Sequence, residues 1–199
     1  FTGRHELNDR WAFLFSVARN GEAVSLRALE TGSGGDEYLF GAEWWRNESL
    51  SASGQLSLLD YSDGNQRTGL SGAVRKRLKT GPTFQLENVS RLAGTQNSQP
   101  GGAYFAPDAD FSFEDELLAR WITWRRYADS FTQRVSVSAG GYWQQGYGWS
   151  IPLAVRYAHE WELYKRRLFV EYGPSLSRRY YDGVVEHNFG LYLAFIWRY

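Results

Sequence analysis

Toward the C-terminus, Leu191, Leu193, Phe195, Trp197 and Tyr199 alternate with Tyr192, Ala194, Ile196 and Arg198. Successive side chains of an extended strand point to opposite faces, so this two-residue period predicts a strand with one apolar face. The period recurs upstream. Trp149, Ile151, Leu153, Val155, Tyr157 and Trp161 share one face, with Ser150, Ala154, Arg156, Glu160 and Glu162 opposite. Likewise Leu168, Val170, Tyr172 and Leu176 oppose Glu171, Ser175, Ser177 and Arg179. No uninterrupted apolar run reaches the roughly 18 residues of a membrane-spanning helix, which excludes a helical membrane protein. The pattern predicts an all-β fold built from antiparallel strands.

Working back from Tyr199, strands are expected near 186–199, 167–180, 149–163, 131–145 and 111–126. Earlier ones fall near 82–95, 66–78, 49–60, 36–47 and 10–19, with a partial strand before residue 8, about eleven in all. Alternation alone does not separate a soluble barrel, apolar inside, from a membrane barrel, apolar outside. Connection lengths do. With Tyr199 at the periplasmic side, the turns at 164–166, 128–130, 79–81 and 47–48 are all periplasmic and short, while the long connections 96–110 and 20–35 fall on the other side. Tryptophans follow the same logic. Trp11, Trp44, Trp45, Trp121, Trp124, Trp161 and Trp197 lie near the short-turn ends, and Trp143 and Trp149 flank an outer turn, as interfacial indoles do. The expected architecture is therefore an antiparallel transmembrane β-barrel of a Gram-negative outer membrane.

Composition narrows the chemistry. The 22 basic and 22 acidic residues cancel, so bulk attraction to nucleic acid has no support. Cysteine is absent, which removes disulfides, thiolate metal sites and a thiol nucleophile together. His5, His159 and His187 sit in no nucleophile motif and lack metal-ligand spacing, so neither catalysis, a metal nor a cofactor is expected. Phe1 is not an initiator methionine and no signal sequence opens the chain, which reads as part of a mature protein.

Several motifs occur in order along the chain. They are Glu6-Leu7-Asn8-Asp9-Arg10-Trp11, Tyr61-Ser62-Asp63-Gly64-Asn65-Gln66-Arg67 and Tyr104-Phe105-Ala106-Pro107-Asp108, then Gly141-Tyr142-Trp143-Gln144-Gln145-Gly146-Tyr147-Gly148 and Arg179-Tyr180-Tyr181-Asp182-Gly183 followed by Glu186. Together they resemble the barrel region of the poly-β-1,6-N-acetyl-D-glucosamine export porins, the PgaA type. The resemblance implies residues 1–199 of one barrel domain, the C-terminal strands of a larger sixteen-stranded barrel, without that family's periplasmic helical-repeat domain. It also implies export of a partly deacetylated polysaccharide to the cell surface during biofilm formation. The implied partners are the polysaccharide and outer-membrane lipid, with a periplasmic deacetylase and an inner-membrane synthase upstream.

A partly deacetylated chain carries scattered ammonium groups, which lumenal carboxylates would attract weakly and repeatedly. Strand parity places Glu43, Glu87, Glu114, Glu116, Glu160, Glu162 and Glu171 inward, on the faces that also carry Arg75, Arg77, Arg91, Arg120, Arg134, Arg156 and Arg179. The plainer alternative is a set of cross-strand ion pairs that stiffen the wall. Asp63-Gly64-Asn65 and Asp182-Gly183 suit tight turns on conformational grounds. A second role puts Tyr61, Asp63, Tyr104, Tyr181, Asp182 and Glu186 around the extracellular mouth, with rings against sugar and carboxylates accepting hydrogen bonds. Rival readings are another exopolysaccharide exporter, a general diffusion porin, or a structural or adhesive surface barrel. An inward-folded loop would favour export, and the connection 21–35 is a candidate through Val24, Leu26 and Leu29.

Overall fold

The computed structural model describes residues 1–21, 24, 26–30, 32–101 and 104–198, with Leu26 and Arg27 described by their backbone alone. Among the described residues the elements are β1 (Thr2–Asn8), β2 (Trp11–Arg19), α1 (Leu26–Glu30), β3 (Gly35–Asn47), β4 (Leu50–Tyr61), β5 (Gln66–Thr80) and β6 (Phe84–Asn97). They continue with β7 (Ala109–Arg126), β8 (Asp129–Gln144), β9 (Gly148–Ser150), β10 (Leu153–Leu163), β11 (Leu168–Tyr181) and β12 (Val184–Trp197). The strands pair in chain order, except that β8 pairs with β10 on the main path and β9 pairs with β8 beside it. Consecutive pairing through short turns is the local solution for an all-β chain with regular turn signals. Two compact units result: Phe1–Val74, Arg91–Phe113 and Tyr142–Trp149 form the first, and Arg75–Ser90, Glu114–Gly141 and Ser150–Tyr199 the second.

In the first unit, β2, β3 and β4 pair antiparallel, with Phe15 opposite Phe40 and Phe40 opposite Leu56. This face is apolar and uncovered among the described residues, where Phe40, Leu56 and Leu70 are 54%, 57% and 62% exposed. Aromatic contacts line it near the short turns, where Trp11 and Trp44 lie 6.5 Å apart. The opposite face carries Glu43, opposite both Ala12 and Ser53. Large side chains thus face outward, and the buried apolar residues are few, an inversion of a water-soluble core.

In the second unit, straight rows cross three strands. Val155, Leu176 and Phe189 form one row and Trp161, Val170 and Phe195 another, both on the apolar face. Arg156 and Ser175, then Glu160 and Glu171, pair on the opposite face. A single residue of slippage would exchange these faces, so burial of charge away from hydrocarbon fixes the register. The hairpin between β11 and β12 turns on Asp182 (φ 49) and Gly183 (φ 75), the left-handed pair that a two-residue connection requires.

The structure departs from the expected strands in two places. The strand near 149–163 is split, because Ile151 and Pro152 separate β9 from β10. Proline has no N–H for the ladder; its carbonyl still accepts from Gly140 N at 3.3 Å. The connection 20–35 carries α1 rather than loop alone. Tyr199, the last residue of the expected terminal strand, lies outside the described residues.

Between β10 and β11, a Cβ added at Gly173 would collide with the Tyr157 carbonyl oxygen. Its neighbour Pro174 donates nothing to the ladder, so the two residues together mark a local gap in pairing. Gly173→Ala forces the strands apart and is expected to cost about 1–3 kcal/mol. Urea unfolding of the full-length protein in lipid vesicles checks this; an unchanged midpoint would contradict it.

Candidate functional site

The charged face of the second unit holds a connected ion network. Glu160 and Glu171 stand directly opposite each other on β10 and β11, a like-charge pair that is unfavourable on its own. Arg134 on β8 resolves the conflict by reaching both, at 3.1 Å to Glu160 and 2.7 Å to Glu171. Arg120 adds a contact to Glu160 at 3.4 Å, and Arg156 one to Glu171 at 2.9 Å. Three guanidinium groups therefore serve two carboxylates, which are mostly shielded, with side-chain exposures of 8% and 15%. Burial makes each pair stronger, and it also makes loss of one partner costly.

Glu87 on β6 repeats the motif, with Arg75 at 3.2 Å and Arg77 at 3.3 Å, and Gln85 also donates to it. Glu162 meets Arg166 at 3.7 Å and accepts from Ser130 Oγ at 3.5 Å. Glu114 and Glu116 alternate with outward positions of β7 on the same face as Arg120. The face is thus one of paired charges rather than bare carboxylates.

In the first unit, Glu43 pairs with Arg4 at 3.3 Å. It borders a cleft of about 540 Å³ lined by small side chains, among them Gly41, Ser53, Ser71 and Ala73, with Arg91 on its edge. Small residues on adjacent strands leave room above the sheet, and the hydroxyls of Ser53 and Ser71 supply hydrogen bonds there without bulk. Asp110, just ahead of the strand expected near 111–126, extends this face from β7. It accepts from Thr95 N and Oγ1 at 3.1 and 2.8 Å and meets Arg67 at 3.7 Å.

The residues read as mouth contacts divide. Tyr61 and Tyr104 are buried, 4% and 5% exposed, with ring centroids 4.6 Å apart. They belong to one apolar cluster with Val24, Ala28, Leu59 and Ala106. Val24 and Ala28 come from the connection that holds α1, while Leu59 and Tyr61 share the Glu43 face of β4. Val24 and Ala28 therefore pack on the face of β4 that also faces Glu43; Leu29 is 39% exposed, and the Leu26 side chain lies outside what is described. Tyr181 is 39% exposed, Asp182 occupies the β11–β12 turn, and Glu186 stands opposite Arg179.

Asn65 is the residue that sequence reasoning undervalued. Only 2% exposed, it donates to Asn97 Oδ1 at 3.1 Å and to Tyr104 Oη at 3.2 Å, and its Oδ1 accepts from Gln99 N at 3.0 Å. Tyr104 in turn donates to Asp63 Oδ2 at 3.0 Å, and Asn97 donates to the Pro107 carbonyl at 2.6 Å. One asparagine side chain thereby ties the β4–β5 turn to the β6–β7 connection. Its presence in an Asp-Gly-Asn turn gives a conformational reason for it and hides this second role.

These features define a class: a membrane β-barrel wall with an apolar outer face, a charged inner face and a loop folded over it. The family model for the PgaA membrane beta barrel domain matches residues 1–199, and the chain belongs to that family. It is 28% identical over 198 residues to the poly-beta-1,6-N-acetyl-D-glucosamine export protein of Escherichia coli strain K12, and equally to that of strain O157:H7. The match covers 98% of this chain and 24% of each relative, so the chain spans about a quarter of their length. Among solved structures, a bacterial polysaccharide outer membrane secretin superposes with a TM-score of 0.92 at 25% identity, over 100% of this chain and 68% of that one. The chain is thus an outer-membrane β-barrel domain, and its curated relatives are export proteins rather than enzymes.

Burial pushes the Tyr104 hydroxyl up to about 12, and the neighbouring Asp63 carboxylate adds to the rise. The folded chain keeps this proton where an unfolded tyrosine, near 10, has begun to lose it. The stabilisation is complete below about pH 10 and is lost as pH rises toward 12. Absorbance titration at 295 nm is expected to show a late-ionising tyrosine component that shrinks in Tyr104→Phe, with burial also raising the Tyr61 hydroxyl beside it; an unaltered titration curve would contradict this.

Proposed function

We propose that this domain forms part of the wall of a channel that exports poly-β-1,6-N-acetyl-D-glucosamine, partly deacetylated, across the outer membrane for biofilm formation. The observation that carries the reading is the paired-charge network of Glu160, Glu171 and Arg134 on the face opposite the apolar rows. Such a face is wetted, because charge on the hydrocarbon side is costly. Family membership and the export proteins among its relatives support the substrate. In this reading Glu43, Glu87, Glu114, Glu116, Glu160, Glu162 and Glu171 line the path. Because arginines already hold most of these carboxylates, the sliding polymer meets alternating donors and acceptors, none of which grips it tightly. Asp63, Tyr181, Asp182 and Glu186 border the outer mouth, and Tyr61 and Tyr104 support it from beneath by holding the folded loop.

β1 and β12 stand at the ends of the strand order. Hydrocarbon does not tolerate unpaired backbone edges, so further strands of the same protein complete the wall in this proposal. A periplasmic deacetylase and an inner-membrane synthase would deliver the substrate.

The test is single-channel conductance of the full-length protein, titrated with acetylated and partly deacetylated β-1,6-glucosamine oligomers. Deacetylated oligomers are expected to block the current. Glu171→Gln leaves Arg134 and Arg156 without their shared counter-charge and should weaken that block by roughly two- to fivefold. Absence of block by any oligomer would overturn the substrate assignment.

A further inference from the structure

On the apolar face of the second unit, near the ends of β10, β11 and β12 farthest from the 164–167 turn, an open groove of about 380 Å³ interrupts the hydrocarbon-compatible surface. Its floor consists of two rows. Leu153, Arg178 and His187 stand side by side across the three strands, and Val155, Leu176 and Phe189 form the next row on the same face. One row thus presents a guanidinium and an imidazole, and the row deeper along the strands is wholly apolar. No carboxylate lines the groove among the described residues.

Arg178 is out of place for a lipid-facing wall, where a charge is disfavoured except near an interface. One Nη donates to the Ile151 carbonyl at 3.0 Å and the guanidinium lies 5.8 Å from the Tyr180 ring, which together hold it in the groove. Its Nε is buried and has no hydrogen-bond partner among the described residues. A buried donor without an acceptor is unfavourable, and it leaves this guanidinium short of acceptors. The arginine fork is suited to phosphate oxygens, which accept two parallel hydrogen bonds from it.

We propose that this groove binds the phosphorylated, multiply acylated glucosamine lipid of the outer leaflet. Its phosphate sits on Arg178, with His187 as a further donor, and an acyl chain runs down the Val155, Leu176 and Phe189 row. The two-row order matches an amphiphile whose charged head lies toward the long-loop end of the strands. That end faces the cell exterior in the orientation set by the connection lengths, where this lipid is the one that combines phosphate with many acyl chains. The groove lies on the opposite face of the sheet from the charged network, so lipid binding there is independent of the transported substrate.

Native mass spectrometry of the full-length protein, stripped of lipid and resupplied in detergent, tests it with three probes: lipid A, dephosphorylated lipid A and phosphatidylglycerol. The unaltered protein is expected to retain lipid A in preference to both others. Arg178→Gln should weaken that retention by about tenfold, the scale of a charge-assisted hydrogen bond, with channel conductance unchanged as the check on folding. Equal retention of dephosphorylated lipid A, equal retention of phosphatidylglycerol, or undiminished lipid A binding by a conducting Arg178→Gln protein would each overturn the proposal. Should the variant not conduct, the three-probe comparison on the unaltered protein decides alone.

Discussion

Each strand has one face that meets no water, and every other feature follows from accommodating that. Backbone groups pair strand to strand because hydrocarbon offers them nothing else. Charges gather on the remaining face, so tightly that two carboxylates, Glu160 and Glu171, end up opposite each other. Arg134 is what allows that register, since it neutralises both at once. Exceptions on the apolar face are partnered at least in part: Asp115 accepts from Ser90 Oγ, and one Arg178 Nη donates to a main-chain carbonyl while its Nε has no acceptor among the described residues.

This constraint also shapes what the charged face can do. A row of bare carboxylates would hold a polycation firmly, and firm binding opposes transit. Sharing each carboxylate between guanidinium groups, as at Glu87 and Glu171, leaves a surface rich in hydrogen-bonding groups and modest in net field. The loop folded over the corresponding face of the first unit is held differently, by apolar contacts of Val24 and Ala28 and by the hydrogen bonds centred on Asn65. Hydrogen-bonded scaffolding under a loop and shared ion pairs across strands are distinct physical solutions on one fold.

Much of this was legible in the sequence because a two-residue period is a direct record of which face meets lipid. Strand positions agree to within a few residues, apart from the break at Pro152. That Glu43, Glu160 and Glu171 share the face opposite the apolar rows could likewise be read without coordinates. Partnership was less accessible. Arg134 and Glu171 are 37 residues apart, and Asn65 and Tyr104 are 39 apart, so their meeting depends on register between strands. The burial of Tyr61 and Tyr104 was hidden for a related reason: a tyrosine beside a turn looks the same whether its ring faces solvent or a neighbouring loop. Asp110 was missed because β7 extends to Ala109, beyond where apolar alternation begins.

The charged face is wet and the apolar face lies in lipid. These 199 residues contain no cysteine, so once any cysteine elsewhere in the full-length protein is replaced by serine, single cysteines can report on each position. Ser136 and Ser175 belong to the charged face and their neighbours Val137 and Leu176 to the apolar one. With the full-length protein in lipid vesicles, a charged, water-soluble thiol reagent should modify Cys introduced in Ser136→Cys and Ser175→Cys and spare that in Val137→Cys and Leu176→Cys. Equal modification at all four positions, or the reverse pattern, would contradict the account.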